Sequence, residues 1–579
     1  MKKLLIYLKD YIKECVLAPL FKMLEASFEL LVPLVIASII DKGIGNSDKS
    51  HIIKMVAVLV GLAVIGLVCS LTAQFFSAKA AVGFASKLRH SLFEHLLGLS
   101  FFETDILGTS TMITRMTSDI NQAQTGVNMF LRLFLRSPFV VFGAMIMAFM
   151  IDFNSALIFA AAIAILLIII FRIMLSSIKR QKIVQGNLDG VLQTTRENLS
   201  GVRVIRAFCK ENEEIEKFNK RNTLLLSAQK KAVQISSLMN PLTYIIINIS
   251  AATLIWTGAL RANIGELSQG QVVALYNYMA QILVELIKLA DLIITINKSL
   301  ASAKRISDVF EIKSSMEEKD ELTENSSDDD YSVVFKNVSF IYKNAGGEAL
   351  SDISFSVKKG ETVGIIGGTG SGKTTLVNMI PRFYDATSGE IIVDGINVKD
   401  YPTNALREQV GIVMQKAVLF KGTIRDNLKW RKKDSSDEEL LEAVKIAQAA
   451  DVLKSKNGLD SDVEQSGRNF SGGQRQRLTI ARALVGKPDI LILDDSSSAL
   501  DYSTDANLRK AISGLSYNPT VFIVSQRASS VKNADIIIVL DDGKIAGKGT
   551  HSELIESCEV YKEIYYSQFS ENPDKEARI

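Results

Sequence analysis

The chain has 579 residues, too many for a single domain, and 47% of them are hydrophobic. A formal net charge of +3 is too small to suggest a nucleic-acid partner, and Cys15, Cys69, Cys209 and Cys558 lie too far apart for a disulfide framework or a zinc site. Lys2 and Lys3 are not followed by a compact apolar stretch with a small-residue cleavage site. No signal peptide is expected, and the first apolar run is read as part of the mature chain.

Crossing a bilayer core takes about 20 apolar residues of helix. Residues 16–40 form the first expected span, although they carry Lys22, Glu25 and Glu29. Residues 55–76 have no charge at all. Residues 137–151 and 153–171 flank the single Asp152, as two spans joined by a very short turn. Residues 235–260 are again uncharged, and residues 272–296 make the sixth span with Glu285, Lys288 and Asp291 inside it. The charges in spans one and six either line a substrate path or sit on helix extensions outside the lipid.

Orientation follows from where Lys and Arg collect. Lys2, Lys3, Lys9 and Lys13 precede the first span, and the long connections 78–136 and 172–234 are rich in both residues. The connections on the other side, near residues 41–51, 152 and 263–270, are short. The N-terminus, both long connections and everything after residue 296 are therefore expected in the cytoplasm. Helical periodicity with few breakers predicts that the spans continue as helices well into the cytosol. Residues 314–331, "SSMEEKDELTENSSDDDY", are acidic and rich in Ser, which reads as a solvated tether. That tether places a membrane domain at 1–313 and a second domain at 332–579.

The second domain opens its chemistry at "VGIIGGTGSGKTTLVNMI", a buried strand that turns through glycines into a helix. Gly367, Gly372, Lys373 and Thr374 match the phosphate-loop pattern. The loop from Gly367 through Gly368, Thr369, Gly370 and Ser371 to Gly372 lets backbone N–H groups face phosphates at a helix N-terminus. Lys373 is expected to neutralise the β- and γ-phosphates, Thr374 to ligate Mg²⁺, and Thr375 to complete the ATP-binding run. Downstream, "ILILDD" at 490–495 supplies an aliphatic strand ending in acid, with Asp494 expected on the Mg²⁺ side.

Between these lies "FSGGQRQRLTIARAL", residues 470–484, which resembles the signature of the ATP-binding cassette (ABC) family with Phe470 in place of the usual Leu. In register with that family, Gln415 resembles the glutamine that touches Mg²⁺, and Tyr342 the aromatic that stacks on adenine. Ser498 to Asp501, "SALD", resembles the loop that communicates between two nucleotide sites. Residues 102–120 and 197–212 look like the cytoplasmic segments with which six-span multidrug-type exporters dock on their nucleotide domains. The resemblance implies an α-helical six-span transmembrane domain with long cytoplasmic helix extensions, followed by an α/β P-loop nucleotide-binding domain. It also implies ATP and Mg²⁺ as cofactors, a bacterial plasma membrane as the location, and small amphipathic compounds as substrates.

Two positions depart from the family. Active members carry Glu after the metal-holding Asp, to polarise the attacking water, and here that residue is Asp495. One missing methylene withdraws the carboxylate by about 1 Å, and misplacement on that scale costs roughly 100-fold in rate. The family usually has His where this chain has Gln526, and Gln cannot become cationic at neutral pH. The pattern resembles the non-catalytic half of heterodimeric bacterial exporters. Its own phosphate loop would hold ATP, while Ser471, Gly472, Gly473, Gln474 and Asp501 would complete the site of a second half-transporter with intact Glu and His. The other reading is a largely non-hydrolytic ATP-binding module, either a nucleotide-gated homodimer or a regulatory subunit.

Overall fold

The computed structural model describes residues 2–316, 318–319, 330–343, 345–454 and 457–569. Contacts divide the chain into two units, Met1–Leu97 with Thr109–Ile312, and Gly98–Gly108 with Lys313–Ile579. Most of the acidic tether lies outside the described residues.

The first unit is helical throughout. After a tight helical turn at Lys2–Tyr11 come α1 (Ile12–Ser38), α2 (Lys49–Leu97), α3 (Thr109–Ile151), α4 (Phe153–Ser200), α5 (Glu211–Ile264) and α6 (Gln269–Phe310). Among the described residues, five helical runs are long and apolar enough to cross a membrane: Leu4–Ile44, Lys49–Leu97, Thr109–Ile151, Phe153–Ser200 and Glu211–Ile264. In α6, Gln271, Asn277, Gln281, Glu285, Lys288 and Asp291 dilute the apolar pattern. Helices α2 and α4, with 49 and 48 residues, run far beyond the roughly 20 that a bilayer needs, so the expected continuation is real.

Small residues bring the helices close, as membrane packing without a hydrophobic driving force requires. A Cβ on Gly143 would lie 2.5 Å from Leu30 Cδ1, and one on Gly270 would lie 2.4 Å from the Ala37 carbonyl. The short connections are tied by acids. Asp152 caps α4 by accepting from Ser155 N at 2.7 Å and pairs with Arg261, and Asp41 accepts from Gly270 N at 2.8 Å.

The charges of the first and last spans meet one another through a residue that the charge pattern had assigned to a cytoplasmic connection. Arg136 is buried at 7% exposure; its guanidinium donates to Glu29 at 2.6 Å and to Glu285. Glu285, 2% exposed, also accepts from Ser137 Oγ and from Lys288 Nζ, both at 2.9 Å. Lys22 pairs with Glu25. A buried guanidinium must be matched by acid, and acids from α1 and α6 supply the match.

The second unit is built on a six-stranded sheet: β1 (Thr362–Gly367), β2 (Val410–Val413), β3 (Ile490–Asp494), β4 (Thr520–Val524), β5 (Ile536–Asp541) and β6 (Lys544–Gly549), in the order β6-β5-β1-β4-β3-β2. All pairs are parallel except β5 with β6. Both faces of β3 are buried: Ile490 and Ile492 join one apolar cluster, while Leu491 and Leu493 join another. This is why the strand reads as an unbroken aliphatic run. An antiparallel sheet of Tyr331–Phe340, Leu350–Lys358, Ser388–Val393 and Ile396–Asn397 flanks it. The short helix Phe101–Leu107 belongs to this unit: Phe101 stacks on Phe383 at 4.3 Å, and the Tyr384 hydroxyl donates to Asp105 at 2.7 Å. Residues 197–212 stay with the helical unit, where Val204 and Phe208 are exposed.

Removing Arg136 takes the buried guanidinium away from both Glu29 and Glu285 and leaves Glu285 with Lys288 as its remaining cationic partner. Arg136→Met is expected to destabilise the helical unit by about 3–5 kcal/mol, and Arg136→Met combined with Glu285→Gln by less. Thermal midpoints of the purified variants in detergent check the order.

Candidate nucleotide-binding site

The register of three parallel strands assembles the site. Ile365 of β1 pairs with Val524 of β4, which pairs with Asp494 of β3, so the segments that follow leave the sheet at one edge. There they enclose a cavity of about 280 Å³. Thr369, Gly370, Gly372, Lys373, Thr374 and Thr375 line it from the glycine loop and from α7 (Lys373–Asn378), facing Gln415, Asp494, Asp495 and Gln526. Tyr342 closes one end. Gly367, Gly368 and Ser371 stand just behind the lining: the Lys373 ammonium donates to the carbonyls of Gly367 and Gly368 at 2.9 and 2.5 Å, and to Ser371 Oγ at 3.3 Å.

The loop needs its glycines for physical reasons. Gly370 and Gly372 have φ of +85° and +92°, a region that L side chains rarely adopt. A Cβ on Gly372 would also approach the Ala349 carbonyl to 2.7 Å.

Thr374 Oγ1 donates to Asp494 Oδ1 at 3.0 Å, so a hydroxyl and a carboxylate converge beside Gln415. These hard oxygen donors fit Mg²⁺, which takes few protein ligands and completes its shell from phosphate and water. Asp494 is 3% exposed, and burial raises its carboxyl above the ordinary range, opposed by the Thr374 hydroxyl. Burial likewise lowers the Lys373 ammonium, with Asp495 and Asp494 acting against it. A buried ammonium beside buried carboxylates is an environment in which a polyphosphate and a divalent ion each find opposite charge.

Asp495 is half-buried at the cavity wall, with a left-handed backbone at φ 46°. Its N–H donates to the Val524 carbonyl at 3.0 Å, and its own carbonyl accepts from Ser498 Oγ at 2.9 Å. Burial raises its carboxyl, while hydrogen bonding from Gln415 and the charge of Arg527 pull it back. The Gln526 side chain is exposed at the rim, and its backbone is clamped from α10 (Glu559–Gln568). Gln568 Nε2 donates to the Gln526 carbonyl at 2.8 Å, and Gln568 Oε1 accepts from Ala528 N at 2.9 Å. Neither Arg527 nor Gln568 was singled out in the sequence. Arg527 adjoins Gln526, whereas Gln568 is distant in the chain and carried no signal. Tyr342 donates or accepts with Thr375 Oγ1 at 3.1 Å and stands edge-on to Phe340 and Tyr384.

The signature residues are not part of this cavity. Ser471 caps α8 (Gly472–Leu484) in a reciprocal box: Gln474 N donates to Ser471 Oγ at 3.3 Å, and Ser471 N to Gln474 Oε1 at 3.0 Å. Ser471 and Gly472 are exposed, and a Cβ on Gly472 would meet nothing within 4 Å. A Cβ on Gly473 would lie 3.0 Å from the Ala499 carbonyl, placing the start of α8 beside the "SALD" loop. Asp501 caps α9 (Tyr502–Ser513), and hydrogen bonds from Ser503 and Thr504 hold its carboxyl well below the usual range.

Residues 15–286 match the model of the ABC transporter transmembrane region, and residues 350–498 match that of the ABC transporter. The chain is similar to an uncharacterized ABC transporter ATP-binding protein of Bacillus subtilis (strain 168), YfiB: 37% identical, covering 98% of this chain and 99% of that protein. An ATP-dependent lipid A-core flippase of Desulfotalea psychrophila (strain LSv54 / DSM 12343) is 34% identical over 82% of each chain. The fold matches a solved bacterial Atm1-family ABC exporter with ATP bound, at a TM-score of 0.79 and 23% identity, covering 97% of this chain and 99% of that one.

Lys373→Ala removes the one ammonium inside the glycine loop. It is expected to weaken ATP binding to the isolated chain at least tenfold, as read by titration with a fluorescent ATP analogue.

Proposed function

The chain belongs to the ABC transporter family, and we propose that within it this is the degenerate-site half of a heterodimeric exporter of amphipathic compounds. It is a multi-pass membrane protein whose ATP-binding domain couples hydrolysis to transport. The finer reading rests on one observation: the cavity wall carries the short carboxylate of Asp495 and the uncharged Gln526 where water activation calls for a longer acid and a cationic switch. Lys373, Thr374, Gln415 and Asp494 would hold ATP and Mg²⁺ there, with Tyr342 against the adenine.

The signature supports the complementary half of the reading. In a head-to-tail pair, Ser471, Gly472, Gly473 and Gln474, with Asp501 near them, would complete the nucleotide site of a partner with intact Glu and His. The exposed end of α8, with open space at Gly472, suits a ligand presented from outside the chain. A lipid-like substrate is favoured among amphipathic compounds because a relative is a lipid A-core flippase.

A Cβ on Gly472 meets nothing within 4 Å, so Gly472→Glu is chosen to act on the partner's nucleotide and not on this chain's own packing. ATPase turnover of the heterodimer is expected to fall nearly to background, whereas Lys373→Ala lowers it only in part. A wild-type rate in the Gly472→Glu complex contradicts the head-to-tail assignment.

Asp495→Asn is expected to change the heterodimer's ATPase rate by less than about threefold, against about 100-fold or more for neutralising the partner's Glu. Asp495→Glu with Gln526→His is expected to raise hydrolysis at this site. Single-turnover hydrolysis with the partner site inactivated is the measurement. Fast turnover by the unmodified chain in that background overturns the degenerate assignment, as does coupled transport by a stable homodimer.

A further inference from the structure

The helical unit contains a cavity of its own, of about 780 Å³. Leu5, Ile6 and Val16 of the N-terminal segment form one wall, and Val127, Phe130 and Leu300 of α3 and α6 form another. Its size falls in the range of small-molecule sites. Apart from Lys9, Ser299 and Cys15, every lining side chain is hydrocarbon or aromatic. The Ser299 hydroxyl is already used, donating to the Gln122 carbonyl at 2.7 Å. The floor is the tight crossing of α3 and α6, where a Cβ on Gly126 would lie 2.3 Å from Ser299 Cβ.

Lys9 is the one charged group of the lining. The neighbouring acids are taken by α2, Asp10 by Lys87 and Glu14 by Lys79 at 2.8 Å, and among the described residues Lys9 has no ion pair. A free ammonium thus stands beside a long apolar chamber, on the segment that enters the membrane from its cytoplasmic face. A compact polar drug would find the Lys9 ammonium as the one charged donor of the lining and hydrocarbon almost everywhere else. A ligand with a long hydrocarbon body and one anionic head satisfies both features, and the cytoplasmic leaflet offers such molecules at high concentration.

We propose that this cavity is a binding site for one acyl chain of an anionic phospholipid, with the lipid phosphate held by Lys9. The chain would lie between the N-terminal segment and the α3–α6 crossing. Bound lipid would thereby fix the spacing of these three elements, and an uncharged lipid would do so more weakly.

The test is native mass spectrometry of the full-length protein, stripped of lipid in detergent and titrated with phosphatidylglycerol or phosphatidylcholine. The first phosphatidylglycerol is expected to bind at least tenfold more tightly than the first phosphatidylcholine. Leu300→Trp, at a side chain already 37% exposed, fills the chamber and should weaken the first binding event of both lipids tenfold or more. Ile6→Trp, 66% exposed on the opposite wall, does the same if Leu300→Trp fails to fold. Lys9→Glu should abolish the preference for phosphatidylglycerol and leave phosphatidylcholine binding unchanged, while Lys54→Glu, a charge reversal outside the cavity, should leave both unchanged. Equal affinity for the two lipids in the unmodified protein overturns the proposal. So does undiminished binding after either tryptophan substitution, or a loss of preference in Lys54→Glu as large as in Lys9→Glu. No ATP enters the measurement, so its failure leaves the nucleotide assignment standing.

Discussion

Ile365, Val524 and Asp494 are hydrogen-bonded neighbours in three parallel strands, and that register decides where the chemistry of the second unit occurs. Parallel strands all end on the same edge, and loops leaving that edge converge. The glycine loop, the Asp494–Asp495 pair and the Gln526 segment are far apart in the chain, yet each starts at the end of one of these strands. A shift of one residue in β3 would turn Asp494 toward the opposite face and take the carboxylate away from Thr374. The aliphatic side chains of β3, buried on both faces, resist that slip.

Inside the helical unit the governing constraint is charge in a medium that does not solvate it. Arg136 is tolerated because Glu285 and Glu29 reach it from α6 and α1, with Ser137 and Lys288 satisfying the rest of Glu285. Such a cluster contributes little net stability against an apolar substitute, but removing one member is costly. It ties α1, α3 and α6 to one another through Glu29, Arg136 and Glu285. The N-terminal chamber is the opposite case, with hydrocarbon walls and Lys9 as the one charged group of its lining.

The two halves also differ in how they use exposed surface. Large apolar side chains stand exposed along α2 and α4, as helices solvated by lipid require. In the second unit, Ser471 and Gly472 at the start of α8 are exposed, and a Cβ on Gly472 would meet nothing within 4 Å.

The sequence by itself marked residues 55–76 and 235–260 as apolar helix long enough to cross a membrane, because uncharged runs of about 20 residues have few other uses, whereas the sixth expected span, at 272–296, falls outside the five helical runs that qualify among the described residues. It determined the phosphate loop, because Gly370 and Gly372 must occupy backbone regions closed to other residues and Lys373 must follow them. The identities of Asp495 and Gln526, an acid one methylene shorter than Glu and an amide that carries no charge, were equally plain, being properties of residue type. Only the tertiary structure decided the rest. It moved Arg136 from an expected cytoplasmic connection into a buried cluster, because charge counting along a chain cannot see acids arriving from helices over a hundred residues away. It supplied the contact by which Gly98–Gly108 joins the second unit, Phe101 stacked on Phe383, where the sequence had offered only a resemblance to a docking segment at 102–120. It placed Gln568 on the backbone of the Gln526 segment. Local conformation and residue chemistry are written in order along the chain, whereas partners that meet through folding are set by packing, which no short stretch contains.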